Sequence, residues 1–173
     1  IISFLDIKNF KLEKKVLDIG SGMGVFPAVM KENLWDVLAV DPDPLNVKIT
    51  KELGKSRVLL GTFPDIEVKE KFSLITFNKV LEHIVNPIYF LQTAKKYLNK
   101  SGYIYLELPD GENAILDSSL RQEFFLEHHY IFTPASICLM ANKSGCVVEK
   151  LEKIKDPSGK NTLAAFLSIN KES

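Results

Sequence analysis

Short apolar runs alternate along the chain with stretches in which apolar residues recur every three or four positions. A run buried on both faces of a sheet reads as continuous, and a helix packed on it shows one apolar stripe. The alternation therefore predicts an α/β domain with a mainly parallel sheet. The first strand is read over Lys15–Ile19, followed by a helix with Val25, Phe26, Val29 and Met30 at helical spacing. A second strand covers 36–40, and Leu45, Ile49 and Leu53 mark the inner stripe of the next helix. Arg57–Leu60 and 72–77 read as the third and fourth strands. A helix is predicted over 84–98, with Ile84, Ile88, Leu91, Ala94 and Leu98 on one face. The turn residues Asn99, Lys100, Ser101 and Gly102 end it before a fifth strand at 103–108.

The rhythm then breaks. Residues 109–132 form a long polar and aromatic connection that contains Phe124, Phe125, His128, His129, Tyr130 and Phe132. Connections beyond ~15 residues are uncommon and often functional, so this segment is expected to be a packed lid on the acceptor side of a site. Thr133 and Pro134 read as N-cap and first helical residue of a helix that Gly145 closes. The segments 146–154 and 162–169 are both strand-like, and Asp156, Pro157, Ser158 and Gly159 between them have turn chemistry. That predicts an antiparallel hairpin at one sheet edge.

The strongest chemical signal is Val16-Leu17-Asp18-Ile19-Gly20-Ser21-Gly22-Met23-Gly24, where a buried strand turns into a helix. Glycines allow positive φ and close approach of a ligand, and the helix start behind them offers free N–H groups to a carboxylate or phosphate. A dinucleotide loop needs G-x-G-x-x-G, and the third position here is Val25. Asp41 ends the second strand 21 residues after Gly20, where an acid can accept hydrogen bonds from a ribose diol. Read alone, Asp41-Pro42-Asp43-Pro44 is also a helix-entry turn.

Composition narrows the partners. Of 173 residues, 22 are Lys or Arg and 22 Asp or Glu, so the formal charge is zero and no electrostatic footprint for nucleic acid or an anionic membrane is expected. The basic residues Lys150, Lys153, Lys155 and Lys160 alternate with Glu149, Glu152 and Asp156, as on a solvated hairpin. No apolar stretch approaches the ~20 residues of a membrane span, and no signal peptide is visible, so a cytoplasmic location is expected. Cys138 and Cys146 fit no metal-ligand spacing and, flanked by apolar residues, are expected to be buried, reduced thiols. The chain opens Ile1-Ile2 rather than with Met, which points to a piece of a longer protein.

Together these motifs resemble the class I S-adenosylmethionine-dependent methyltransferases, from Val16 to Ile169. The loop Asp18 to Gly24 resembles their first motif, and Asp41 their ribose-binding acid. Phe72-Ser73-Leu74-Ile75 through Val80-Leu81-Glu82-His83-Ile84 resembles their fourth-strand motif. Leu98-Asn99-Lys100-Ser101-Gly102-Tyr103 resembles their L-K-P-G-G turn, with Ser101 in place of Pro. The resemblance implies a Rossmann-like α/β fold over a single domain, 1–173, with a seven-stranded mixed sheet in the order 3-2-1-4-5-7-6, strand 7 antiparallel and helices on both faces. An earlier segment would normally help cover the cofactor. The implied cofactor is S-adenosyl-L-methionine, giving S-adenosyl-L-homocysteine. Asp18 and the backbone at Gly20, with Ser21 beside it, would hold the methionine amino and carboxylate groups. Gly22 would let the loop close under the ligand, Asp41 would take the ribose hydroxyls and Pro42 would flank the adenine. Relatives often place an acid after the third strand, where this chain has Gly61-Thr62-Phe63. Thr62 would then offer a weaker hydrogen bond and Phe63 a stacking face, while Asn78 would face the methionine part.

The implied activity is methyl transfer to a small-molecule acceptor by a monomer or homodimer, with oxygen the expected acceptor atom on a sugar, glycan precursor, quinone precursor or other metabolite. The alternative is a non-catalytic module of the same fold that binds the cofactor or a protein partner; the missing acid at Thr62 favours it, and the intact Asp18, Gly20, Gly22 and Asp41 set opposes it. A hydroxyl acceptor needs a base, and the candidates are His128, His129 and His83. His128 and His129 are adjacent on an extended segment, so they point opposite ways, and His128 is taken slightly ahead. Glu82 is also placed to cap the helix ahead of it. Some relatives bind a divalent ion through Glu-x-x-Glu-His; here Lys79 stands first in Lys79-Val80-Leu81-Glu82-His83, and its charge repels a cation, so no metal is expected.

Overall fold

The computed structural model describes residues 1–8, 12–54, 56–113, 127–155 and 159–170. Seven strands form one sheet: β1 (Lys15–Ile19), β2 (Asp36–Asp41), β3 (Arg57–Leu60), β4 (Phe72–Asn78), β5 (Leu98–Pro109), β6 (Cys146–Lys155) and β7 (Asn161–Ile169). Their order is β3-β2-β1-β4-β5-β7-β6. Neighbours from β3 to β5 pair in parallel, and β7 is antiparallel to both β5 and β6. The predicted order and the terminal hairpin within the sheet are both present. Part of the hairpin's turn, 156–158, lies outside the described residues.

The central strands are buried on both faces, as a doubly covered parallel sheet requires. One face carries Leu17, Leu38, Ile75, Ile104 and Leu106, covered by Leu91 and Ala94 of α4 (Pro87–Lys95) and by Ile137, Met140 and Ala141 of α5 (Pro134–Lys143). The other carries Val16, Val37, Leu74, Tyr105 and Phe166, covered by Phe4 and Leu5 of α1 (Ile2–Ile7) and Met30 of α2 (Val25–Glu32), with Trp35 alongside. Phe4 stacks on Phe166 with ring centroids 3.9 Å apart. The sequence reading assigned no element to this first helix.

Several expectations change. The helix predicted over 84–98 is shorter. A single 3-10 turn at Leu81–His83 comes first, then Asn86 caps α4 by accepting from the Tyr89 N–H at 3.1 Å, with Pro87 at the first helical position. Asn86, not Glu82, is the cap. Leu98 and the four residues after it belong to β5, where the register with β4 jumps from Phe72–Leu98 to Leu74–Tyr103. The α2 stripe is also turned: Val25 and Val29 are exposed, while Pro27 and Met30 are buried.

In α3 (Pro44–Gly54), Leu45 and Leu53 are exposed, and Val47 and Thr50 face inward. The cause is the contact with the glycine loop. Thr50 Oγ1 donates to the Gly22 carbonyl at 3.2 Å, and a Cβ on Gly24 would lie 2.6 Å from that Oγ1 and 2.8 Å from the Thr50 backbone. The polar side chain at 50 therefore has an inward partner, and the periodic leucines are turned away. Cys146 is buried as expected, but Cys138 is exposed on α5, whose inward positions are Ile137, Met140 and Ala141. Both thiols are free. On the hairpin, Lys153 pairs with Asp110 and Glu112, and Lys150 with Glu152. Among the described residues no helix is long and apolar enough to cross a membrane.

Candidate active site

Parallel strands in register bring their carboxyl ends together, and the order in which strands are added reverses between β1 and β4. A cavity of about 850 Å³ opens there. One wall is the glycine loop and the end of β2, with Gly20, Gly22, Asp41, Pro42, Asp43 and Asn46. Gly61, Thr62 and Phe63 after β3 form the floor. The opposite wall is Lys79, Val80, His83, Ile84 and Phe90, with Glu127 and His129 from the segment after the undescribed residues 114–126.

The Asp41 carboxylate organises the first wall. Oδ2 accepts from the Gly22 N–H at 2.8 Å, and Oδ1 accepts from the Asp43 N–H at 2.9 Å and Asn46 Nδ2 at 3.1 Å. Asp43 in turn accepts from the Leu45 N–H at 2.8 Å, which starts α3. Asn46 was missed from sequence, although its place in the first helical turn after Asp43 was the available signal.

Asp18 lies beneath the loop, fully buried. Its Oδ1 accepts from Thr76 Oγ1 at 2.6 Å and Asn78 Nδ2 at 3.2 Å, while Oδ2 has no hydrogen-bond partner within the chain. Burial pushes this carboxyl up to about 7, against the two hydrogen bonds and with a small contribution from the Asp41 charge. Ser21 Oγ is likewise buried without a partner.

Of the twelve candidate residues, the structure brings Gly20, Gly22, Asp41, Pro42, Thr62, Phe63, His83 and His129 to the cavity wall. Asp18, Ser21, Asn78 and His128 are not on it. Asn78 Nδ2 donates to Asp18 Oδ1, which leaves its second N–H and its Oδ1 outside that bond. Phe63 is 2% exposed and packs edge-on against Phe77, Phe90 and Tyr97, so most of its ring belongs to the core. His128 was taken ahead of His129, yet His129 faces the cavity and the His128 ring lies edge-on to His83 at 4.6 Å. The two do diverge, as extended neighbours must. Phe124 and Phe125 lie outside the described residues.

The segment from 127 is strapped to the turn after β4. The N–H groups of His129 and Tyr130 donate to the Glu82 carbonyl at 2.7 and 3.4 Å, and Tyr130 Oη donates to the Val85 carbonyl at 2.8 Å. His83 Nδ1 sits 3.1 Å from the Glu127 carbonyl. A carbonyl only accepts, so in the neutral ring Nδ1 carries the proton and Nε2 keeps its lone pair. The Glu82 side chain is buried and its Oε2 has no hydrogen-bond partner within the chain. Burial lifts it to about 7, with its own backbone contact and the Lys79 charge acting the other way. Glu82, His83 and His128 bring a carboxylate oxygen and two imidazole nitrogens within 4.8 Å of one another. Such a donor set can hold a divalent cation, and the Lys79 charge that reaches Glu82 opposes one.

The sequence matches the methyltransferase domain family over residues 2–151. The chain belongs to that family. This methyltransferase domain is 27% identical over 108 residues to a ubiquinone biosynthesis O-methyltransferase of Histophilus somni, a match that covers 56% of this chain and 45% of that protein. The chain thus spans about half the length of the curated relatives it matches. Among solved structures, the plantazolicin methyltransferase BpumL, in complex with a triazolic desmethylPZN analogue and S-adenosylhomocysteine, superposes with a TM-score of 0.79 at 16% identity, over 98% of this chain and 81% of that one. A S-adenosylmethionine-dependent methyltransferase from Clostridium acetobutylicum gives a TM-score of 0.74 at 12% identity, over 97% and 89%. The fold is that of the class I S-adenosylmethionine-dependent methyltransferases.

Proposed function

We propose that this methyltransferase domain transfers the methyl group of S-adenosylmethionine to an oxygen of a small-molecule acceptor. The observation that carries the reading is the cavity at the switch point of the sheet, one wall of which is the glycine loop tied to Asp41. The residues fit the cofactor. A carboxylate has about four acceptor positions, and Asp41 fills three within the chain, leaving one for a ribose hydroxyl. Asp18 Oδ2 and Ser21 Oγ are buried without partners beneath the loop and suit a ligand that brings an ammonium group. Thr62 and Pro42 flank the space for the adenine.

When bound, the cofactor supplies a methyl group already activated on a sulfonium, so the protein's work is alignment and proton removal. His83 lines the acceptor side and takes the hydroxyl proton through Nε2, the ring nitrogen not turned to the Glu127 carbonyl. Glu127 and His129 form the outer acceptor wall. Oxygen is preferred because the matched relatives are named O-methyltransferases.

The test is a calorimetric titration with S-adenosylhomocysteine and with NAD, followed by transfer of labelled methyl to a panel of phenols, catechols and sugars. Binding of the first ligand alone, with label appearing on a hydroxyl, is the expected result. Binding without any turnover would instead establish a non-catalytic module.

A further inference from the structure

We propose that Thr62 relaxes the purine selectivity of this domain, so that the site takes cofactor analogues that lack the 6-amino group. The inference rests on the methyl-transfer reading above and deepens it, because it concerns the base end of the same cavity. The place of the base follows from the ribose. Asp41 keeps one acceptor position for a ribose hydroxyl, and the end of β3 lies directly beside it: Asp41 pairs with Leu60, and the Gly61 N–H donates to the Asp41 carbonyl at 3.0 Å. A base carried by that ribose meets the turn that follows β3. The turn is held firmly. The Phe63 ring packs edge-on against Phe77, Phe90 and Tyr97, and the Asp65 N–H donates to the Thr62 carbonyl at 2.9 Å. A Cβ on Gly61 would run into the Ile66 side chain, so the loop is also closely packed there. Between these two anchored neighbours, Thr62 is exposed and lines the cavity.

Few polar side chains reach this end of the cavity. Pro42 and Phe63 are apolar, and Glu127 belongs to the opposite wall. Asp41 already holds three donors of the chain, and Asp43 Oδ1 holds the Leu45 N–H at the start of α3. After β3 the polar side chain on the cavity is the Thr62 hydroxyl, and among the described residues nothing hydrogen-bonds to it. The 6-amino group of adenine is a donor. A carboxylate opposite it would only accept, would bind the amine through a charge-assisted bond, and would be left unpaired in its absence. A threonine hydroxyl is neutral, and it both donates and accepts. Exposed at the cavity edge, it makes one ordinary hydrogen bond to the amine and returns to water when the amine is missing. Removal of the amine therefore costs little here. Affinity is carried by the ribose contact at Asp41 and, at the other end of the ligand, by the unpartnered Asp18 Oδ2 and Ser21 Oγ beneath the loop.

The experiment titrates S-adenosylhomocysteine and its analogue with hydrogen in place of the 6-amino group into wild type, Thr62→Val, Thr62→Asp and Thr62→Glu. An ordinary hydrogen bond of ~0.5–1.5 kcal/mol corresponds to a preference of about two- to tenfold, and a charge-assisted one of ~1.5–3 kcal/mol to about tenfold or more. Wild type should favour S-adenosylhomocysteine by less than about tenfold, and Thr62→Val should bind the two ligands nearly equally. At least one acid variant should favour the amine by more than about tenfold, because the new carboxylate reads it. Melting temperatures of all four proteins show that they are folded. A preference of about tenfold or more in wild type or in Thr62→Val overturns the proposal, since another group then reads the amine. A preference below about tenfold in both acid variants, or loss of S-adenosylhomocysteine binding by both, overturns it as well, since position 62 then does not face the amine. Failure of wild type to bind S-adenosylhomocysteine overturns the methyl-transfer reading instead.

Discussion

The Gly22 N–H donates to Oδ2 of Asp41 at 2.8 Å, joining the glycine loop after β1 to the acid that ends β2. Substitution of Asp41 therefore has two consequences. Asp41→Ala removes a ligand acceptor and leaves the N–H groups of Gly22 and Asp43 and the Asn46 amide without their acceptor, at a cost of ~1–3 kcal/mol for each that stays buried. Asp41→Asn does not rescue it, because either orientation of the amide turns an NH2 toward a backbone donor. Both variants should lose at least about tenfold in S-adenosylhomocysteine affinity and melt at lower temperature. Calorimetry and thermal melts check this, and wild-type affinity in Asp41→Asn would remove the acid from the site.

Two loop glycines should fail differently. A Cβ on Gly24 would lie 2.6–2.9 Å from Thr50 atoms, including its backbone, at φ +78°. Gly24→Ala should therefore lose ~1–3 kcal/mol of stability by forcing α2 and α3 apart. A Cβ on Gly22 meets nothing within 4 Å, because it projects into the cavity, although φ +53° still strains a side chain. Gly22→Val should weaken ligand binding more than Gly24→Ala and lose less stability. Denaturant unfolding and ligand titration of the two proteins separate the effects, and matching losses in both would refute the distinction.

The strands and the terminal hairpin were legible because strands buried on both faces read as unbroken apolar runs and the hairpin carried its own turn chemistry, while their order in the sheet came from the family resemblance. Helix facing was less legible. Leu45, Leu53, Val25 and Val29 obey helical spacing, yet α2 and α3 meet through Thr50 and Gly24, a contact that spacing alone does not reveal. Gly22 and Asp41 were found because a strand end followed by glycines, with an acid after the next strand, is a pattern with a mechanism. The Asn78–Asp18 hydrogen bond was not legible, because the resemblance placed Asn78 toward the methionine part and carried no sign that the buried Asp18 accepts from its amide. The His128 and His129 orientations depended on where the segment from 127 is anchored, and that anchor is the Glu82 carbonyl, a backbone group with no sequence signature.

Asp18 and Glu82 make stability fall as pH rises through neutrality. Each is held at about 7 in the folded protein, above ordinary values of 3.8 and 4.5, chiefly by burial. A group whose folded pKa is raised contributes stability that is fully present below its unfolded pKa and is lost as pH rises through the folded one. The window here is about pH 4 to 7. Glu70 acts in the opposite direction: Arg57, then Lys15, lower it to about 2, so its contribution is lost as pH falls from its ordinary 4.5 toward 2. Asp18→Asn and Glu82→Gln should each flatten the decline between pH 5 and 8 in urea titrations. A wild-type slope unchanged in both variants would mean that neither carboxyl is held protonated.

The three histidines should separate kinetically because the structure gives each ring a different surrounding. His83 has Nδ1 against the Glu127 carbonyl and lines the cavity, so as the proposed base His83→Ala should lower kcat by ~10²–10⁴, the usual loss for a general base, with S-adenosylhomocysteine affinity retained. His129 lines the cavity, but its backbone N–H, not its ring, anchors the segment to Glu82. His129→Ala should therefore keep the segment from 127 in place and raise KM for the acceptor more than it lowers kcat. His128 packs edge-on against His83 and is off the cavity wall, so His128→Ala should act only through the His83 orientation and cost less than His83→Ala. Single-turnover rates across pH 5.5 to 9, on the acceptor that the methylation panel identifies, provide the comparison. Free imidazole should restore part of the rate to His83→Ala and none to His129→Ala. A large kcat loss and imidazole rescue in His129→Ala, with His83→Ala near wild type, would move the base from the turn after β4 to the lid.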